Sequence, residues 1–411
     1  MKGENLVTPK AFHVAPSSPI KLLIADDSWV FRRILRDVFK KMQHIQILDD
    51  AANGIEALEQ IIKYRPDVLI LDMEMPIMDG ITTLQHLMIH TPTPTIMFSS
   101  LSPDGTPRSF DALKYGAIDF IAKASFFKGS DMAADNELII KKVMQAATIT
   151  VKAIDPMQSG MGQCEISETE QLVFCEDCGA RNVVDTRQYE MGETFQCHHC
   201  GDILKINSNA RFRRLSCVMV MGAGEGGYVN LLQIIPSFCS DMGAAIIVVI
   251  HDEPDKVSSF AEYLGSISAI KVVRGQDGLT MEGGSCYIFS GAQRVSLSPH
   301  SGHYALRVTN DPTIMRQGAI NTVLMSSALL LKDRVAGILL SGSDNDGVKG
   351  MEAVHKSKGT VIALDLSRCL CREMNEKLIR KCPETLIADE RGVVELLKTM
   401  EIHCRNRVVT A

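Results

Sequence analysis

The sequence predicts an α/β protein with two doubly wound parallel sheets and a small cysteine-rich unit between them. Three observations carry that reading. Short β-branched runs alternate with helically periodic stretches over 20–126, the alternation stops across a tract holding two CxxC pairs, and it resumes over 214–402. A chain of 411 residues has room for such a division, at roughly 150 residues per domain. With 45% hydrophobic and 22% charged residues it can bury more than one core, and it is neither disordered nor collagen-like.

In the first unit KLLIA, DVLILD, PTIMF and AIDFIA read as buried strands, and Phe31, Ile34, Leu35, Val38 and Met42 mark a helix after the first of them. Catalytic groups in such sheets collect at the carboxyl ends of the strands. Asp26 and Asp27 stand where the first strand ends, and Asp72 closes DVLILD. Carboxylates so crowded repel unless a hard cation neutralises them, and Mg²⁺ suits an all-oxygen set. A later strand ends in Ser99 and Ser100, and another leads to Lys123. A carboxylate nucleophile, a divalent ion, a hydroxyl and a lysine are the parts needed to take up a phosphoryl group. Any one of these acids, taken alone, reads equally well as a strand-end decoration.

A linker is expected over 127–170, where SGMGQ and SETE are loop material, and a ribbon over 171–208. There Cys175-Glu-Asp-Cys178-Gly and Cys197-His-His-Cys200-Gly are separated by 18 residues. In each pair the chain must fold back tightly for both sulfurs to reach one ion, so together they predict a tetrahedral Cys₄ Zn²⁺ site. A redox CxxC is the competing reading. The unit is too small for a core, so metal binding should supply much of its folding energy. His198 and His199 are expected to face solvent or support the sulfurs rather than ligate. The eight other cysteines, among them Cys217 and Cys369, read as small buried hydrophobes. Arg211, Arg213 and Arg214 read as a solvated linker-side patch.

In the last unit SCVMVM, GAAIIVVI, VAGILL and TVIAL are buried-strand candidates. Met221-Gly-Ala-Gly224-Glu-Gly-Gly227 follows a strand and precedes a helix marked by Tyr228, Leu231, Leu232 and Ile235, so its backbone N–H groups can face a phosphate or an oxyanion. Gly222, Gly224 and Gly227 also satisfy GxGxxG, which leaves a nucleotide-binding module open. Asp252, the available acid on the next strand, lies 30 residues from Gly222, farther than a dinucleotide site expects.

The longest apolar stretch, Gly243 to Ile250, is far short of the roughly 20 residues that span a bilayer, so no membrane insertion is expected. The opening residues lack a signal-peptide core, which makes the cytoplasm the expected location and disulfides unexpected. A net charge of −6 argues against nucleic-acid binding.

The stretches ADDS, LDMEMPIMDG, FSS and AIDFIAK closely resemble the receiver domain of bacterial response regulators, whose fold is a flavodoxin-like doubly wound sheet. The resemblance implies phosphorylation of Asp72 by a histidine kinase of chemotaxis type. It also implies Mg²⁺ held by Asp26, Asp27, Asp72 and the Glu74 backbone carbonyl, with Ser99 and Lys123 contacting the phosphoryl group. Phe120 falls at the family's aromatic switch position, and Ala124 replaces its usual proline.

From about Leu215 onward, GAGEGG, VVIHDEP and LLSGSDNDGVKGM resemble the catalytic domain of the CheB-type chemotaxis protein-glutamate methylesterase. The family's serine, histidine and aspartate act as a triad. His251 matches the histidine and Asp346 the aspartate, but the serine position holds Gly224, which cannot form an acyl-enzyme. The family's RPSVD-like stretch stands here as Gln317, Gly318, Ala319, Ile320 and Asn321, and Glu225, Asp252 and Glu253 add carboxylates. Ser343, a conceivable replacement nucleophile, is expected on the wrong strand. The expectation is a response regulator with a degenerate esterase-like domain that acts through phosphorylation-dependent partner binding, methyl-accepting chemoreceptors among the candidates. An active methylesterase or glutamine deamidase is the alternative.

Overall fold

A computed structural model describes residues 18–99, 105–124, 132–152, 170–174, 181–185, 194–205, 215–300, 303–310 and 318–410. The first body has strands β1 (Ile20–Ala25), β2 (Ile45–Ile47), β3 (Val68–Asp72), β4 (Thr95–Ser99) and β5 (Asp119–Ala122), joined by helices α1 (Trp29–Phe39), α2 (Gly54–Tyr64), α3 (Gly80–His90) and α4 (Pro107–Lys114). All pairings are parallel, in the order β2-β1-β3-β4-β5. Polar side chains start the helices: Ser28, Asn53, Asp79 and Thr106 each accept a backbone N–H of the first turn. The central strands β3 and β4 are buried on both faces, as a parallel sheet sandwiched by helices requires. Met42 lies beyond the end of α1, which stops at Phe39, and packs half-buried against the core instead of extending the helix.

The stretch expected as a linker instead contains helix α5 (Met132–Ala146), whose Ile139 and Val143 join the buried cluster that includes Phe31 and Phe98. The middle unit holds two antiparallel hairpins, β6 (Glu170–Phe174) with β7 (Arg181–Asp185) and β8 (Thr194–Gln196) with β9 (Ile203–Lys205). Cys197 and Cys200 occupy the β8–β9 turn; Cys175 and Cys178, like Arg211, Arg213 and Arg214, lie outside the described residues.

The last body contains β10 (Cys217–Ala223), α6 (Gly227–Ile234), β11 (Ala244–Ile250), α7 (Pro254–Ile267), β12 (Lys271–Arg274), β13 (Ser285–Ser290), the hairpin β14 (Gln293–His300) and β15 (His303–Asn310), α8 (Ala319–Leu331), β16 (Val335–Leu339), α9 (Val348–Lys356), β17 (Thr360–Leu364), α10 (Glu373–Lys381), β18 (Leu386–Ala388) and α11 (Glu390–Thr410). Seven strands pair in parallel as β12-β13-β11-β10-β16-β17-β18. The order reverses at β10, so the loops after β10, β11 and β16 gather at one crevice, where such sheets place their sites. Gly226 opens α6 in the left-handed region at φ 82°, which a glycine adopts without strain.

The two α/β bodies share apolar surface. Phe110 of α4 packs among Tyr228, Phe260 and Tyr263, with ring centroids 5.2 to 5.9 Å away, and Tyr263 donates to Asp111 at 2.6 Å. No helix among the described residues is long and apolar enough to cross a membrane.

Candidate functional site

Register brings the expected acidic residues to one rim. Asp72 pairs with Phe98 and Ser99 with Ala122, so the ends of β3, β4 and β5 coincide. Lys123 Nζ lies 2.7 Å from Asp26 and 2.8 Å from Asp72, and all three side chains are nearly fully buried. Burial, with Asp26 and Glu74 nearby, pushes the Asp72 carboxyl up to about 7 despite the lysine. Burial works against the Lys123 charge too, but hydrogen bonds to Asp26 and Asp72 outweigh it and hold the amine above its ordinary value.

Single oxygens of Asp26, Asp27 and Asp72 lie within 4.8 Å of one another, and Asp72 Oδ1 is buried without a hydrogen-bond partner among the described residues. An all-carboxylate set with an orphaned oxygen fits a hard cation such as Mg²⁺. Ser99 donates to Glu74 Oε1 at 2.8 Å, so the hydroxyl meets the side chain of the residue expected to contribute its carbonyl. Ser100 lies outside the described residues. Phe120 is buried.

The second site forms where β10, β11 and β16 end. Ala223 pairs with Ile250 and Gly222 with Leu339, which sets Gly224, His251 and the β16–α9 loop side by side. His251 Nε2 lies 3.0 Å from Asp346 Oδ2, and Nδ1 meets Asp344 Oδ2 in a very short contact. Asp346 also accepts backbone N–H groups of Ile320, Asn321 and Gly347 at 2.7 to 2.9 Å. It thereby caps α8, whose own cap residue, Gly318, has no side chain. Burial would lower the His251 pKa, but the hydrogen bonds to Asp344 and Asp346 prevail and raise it to about 9. Burial would raise the Asp346 carboxyl; the bonds from His251, Asn321 and Ile320 keep it below the usual range.

Of the three acids expected to crowd this pocket, Glu225 is half-buried at the glycine loop, Asp252 pairs with Lys256 at 3.0 Å, and Glu253 is the exposed residue before α7. The further acid that engages His251, beside Asp346, is Asp344, which sequence reasoning missed; its signal was a second aspartate in the Ser343-Asp-Asn-Asp346 loop. Ser343 follows β16 and not β10, as expected, but β16 is the immediate neighbour of β10 and Ser343 N would lie 3.9 Å from a Cβ on Gly224. Its exposed side chain makes no hydrogen bond to His251. Gln317 lies outside the described residues.

Glu225 joins the last body to the receiver. It accepts from the Cys371 thiol at 3.3 Å and lies 3.3 Å from Lys142 Nζ of α5, which also binds Asp119 of β5. Burial and the adjoining Glu225 hold the Cys371 thiol well above its ordinary value, which disfavours the thiolate that a nucleophile needs. Cys371 therefore makes a polar contact beyond hydrophobic packing, and Cys239 is only half-buried; Cys217 and Cys369 are buried as expected. In the middle unit Cys197 is buried, Asn182 Nδ2 points to its sulfur at 3.6 Å, and the Asn182 carbonyl oxygen meets His198 Nδ1 at 2.7 Å. His198 thus supports the cysteine's neighbour.

The family model described as "Response regulator receiver domain" matches residues 22–129, and that described as "CheB methylesterase" matches residues 219–393. A relative from Caldanaerobacter subterraneus subsp. tengcongensis, named protein-glutamate methylesterase/protein-glutamine glutaminase, is 30% identical over 385 residues, covering 92% of this chain and 95% of its own. One of the same name from Pyrococcus horikoshii is 29% identical over 347 residues, 84% of each chain. The crystal structure of the Thermotoga maritima CheB methylesterase catalytic domain is 27% identical with a TM-score of 0.42, covering 45% of this chain and 98% of that one.

Proposed function

The chain belongs to the family of receiver-linked protein-glutamate methylesterase/protein-glutamine glutaminases, and on that premise we propose a phosphorylation-controlled regulator whose esterase-like domain no longer performs covalent ester hydrolysis. The observation that carries the proposal is Gly224, which leaves the strand-to-helix turn without a nucleophilic side chain. Cys371 is too basic to replace it, and Ser343 makes no bond to the histidine.

The input is phosphoryl transfer from a histidine kinase to Asp72. Asp26, Asp27, Asp72 and the Glu74 carbonyl would hold Mg²⁺, which offsets negative charge as the group arrives. Asp72 attacks the phosphorus through its carboxylate as the P–N bond to the kinase's phosphohistidine breaks and the imidazole leaves; Lys123 leaves Asp26 for the incoming phosphoryl oxygens, and Ser99 exchanges Glu74 for the same group. The added charge of about −1.5 to −2 biases the receiver between two arrangements. Phe110, Asp111 and Lys142 touch the last domain, with Asp119 behind Lys142, and would transmit the change, so the output is altered docking of that domain on a partner, chemoreceptors included.

The middle unit completes the proposal as a Zn²⁺ ribbon held by Cys175, Cys178, Cys197 and Cys200. The Asn182 bond to Cys197, across the two hairpins, supports it.

A pull-down with the full chain, with and without acetyl phosphate and Mg²⁺, tests the output; partner recovery should change on phosphorylation and the change should vanish in Asp72→Asn. Equal recovery in both states would sink it. Methanol release from methylated chemoreceptor by the wild type would favour the active-esterase alternative that the relatives' names carry.

A further inference from the structure

We propose that Asp344 is a positioning residue that disables His251 as a base: it occupies Nδ1 while Asp346 occupies Nε2, so the ring carries both protons and has no lone pair to offer. The inference rests on the proposed loss of esterase chemistry and names a second cause for it, independent of Gly224.

A histidine base needs one nitrogen protonated toward its orienting carboxylate and the other bare toward the nucleophile. Here one carboxylate serves each nitrogen. Asp346 cannot turn away, because three backbone N–H groups at the start of α8 and in its own loop hold it. Asp344 is fixed as well. Its Oδ1 accepts the Asp346 N–H at 2.9 Å while its other oxygen meets the ring.

The ring itself is sealed. Its side chain is 2% exposed against 29% for Asp344, so the aspartate stands on the water side of the imidazole. On its other flank a Cβ at Gly291 would come within 2.4 Å of His251 Cδ2, so the ring lies directly against the backbone there. Nearby ions are otherwise committed: Asp252 pairs with Lys256, Glu225 with Lys142, and Lys377 binds Asn345. The two aspartates therefore set the state of the ring, and the rise of its pKa to about 9 agrees with an imidazolium at neutral pH.

The test is a long-range ¹H–¹⁵N correlation of the histidine rings in the full-length protein, followed from roughly pH 5.5 to 10. Wild-type His251 should keep two protonated nitrogens until well above neutrality. In Asp344→Asn, which retains an acceptor for the Asp346 N–H, the midpoint should fall by about one unit or more; Asp344→Ala should give the same fall. A wild-type midpoint near the ordinary value of about 6.5, or one unmoved in both variants, would overturn the proposal. The ring titration needs no turnover, whereas wild-type methanol release reports on the proposed loss of activity, so the two readings fail separately.

Discussion

Lys142 Nζ lies 3.3 Å from Glu225 Oε1, placing an ammonium of α5 on a carboxylate one residue beyond Gly224. The same ammonium binds Asp119, the first residue of β5. That strand runs through Phe120 to Ala122, next to Lys123, the group proposed to follow a phosphoryl oxygen on Asp72. Burial opposes the Lys142 charge, but Asp119 and Glu225 together hold its pKa well above the ordinary value. A contiguous set of contacts does not by itself demonstrate coupling, so this bridge is the place to perturb it.

Glu225→Gln should loosen the bridge without emptying the space, because the amide keeps the shape and loses the charge. The side chains of Lys142 and Glu225 are 12% and 27% exposed, so the lost charge-assisted bond should cost about 1–2 kcal/mol. Hydrogen exchange on the full chain should show faster exchange in α5 and α6 with the receiver core unchanged. Identical protection in both proteins would mean that the ion pair holds nothing.

Much of this was legible in the sequence. The receiver rim was readable because each of its residues sits at the end of a strand whose apolar run is continuous, and a parallel register aligns such ends. The glycine turn at Gly224 was placed by the same logic, whereas His251 and Asp346 came from resemblance to the family's motifs. Strand β2 was not read, since three residues, Ile45–Ile47, carry too little pattern. Asp344 was missed for a different reason: a carboxylate two residues from Asp346 reads as loop polarity until the turn Asp344–Asp346 folds both onto one ring. The Lys142–Glu225 contact was equally hidden, because it joins helix and loop across two domains.

For the ribbon, protein purified without chelator should contain one equivalent of zinc. Cys197→Ser should remove it and unfold the two hairpins locally, while both α/β domains keep their melting transitions. Asn182→Ala should weaken retention against a competing chelator by about 10-fold or more, since it strips a hydrogen bond from one of the sulfurs. Substoichiometric metal in the wild type would count against the site.

The His251 clamp also predicts a pH dependence of stability. A histidine whose folded pKa lies above its unfolded value stabilises the fold fully below about 6.5 and loses that contribution as pH climbs through about 9. The contribution is at most about 3 kcal/mol. The urea midpoint of wild type should therefore exceed that of His251→Gln most at mildly acidic pH, and the gap should close above about pH 9. A gap that stayed level across this range would show that the fold does not raise the pKa of the ring.

Gly224→Ser separates the two proposed causes of inactivity. A Cβ there would lie 3.1 Å from Gly342 Cα and 3.7 Å from the Ser341 carbonyl, so the loop must give by a few tenths of an ångström at a cost of about 1 kcal/mol. The variant should fold. It should nevertheless release no methanol from a methylated chemoreceptor fragment, because a serine without a base remains a hydroxyl and His251 has both nitrogens occupied. Adding Asp344→Ala returns a lone pair to the ring, and activity should then appear and disappear again with His251→Ala. The rate will be modest: Gly318, Ala319 and Asn321 depart from the family's pattern, and each tenfold lost is about 1.4 kcal/mol of transition-state stabilisation. Hydrolysis by Gly224→Ser alone that depends on His251 would refute the clamp, whereas hydrolysis by the wild type that depends on His251 would refute the loss of the enzyme itself.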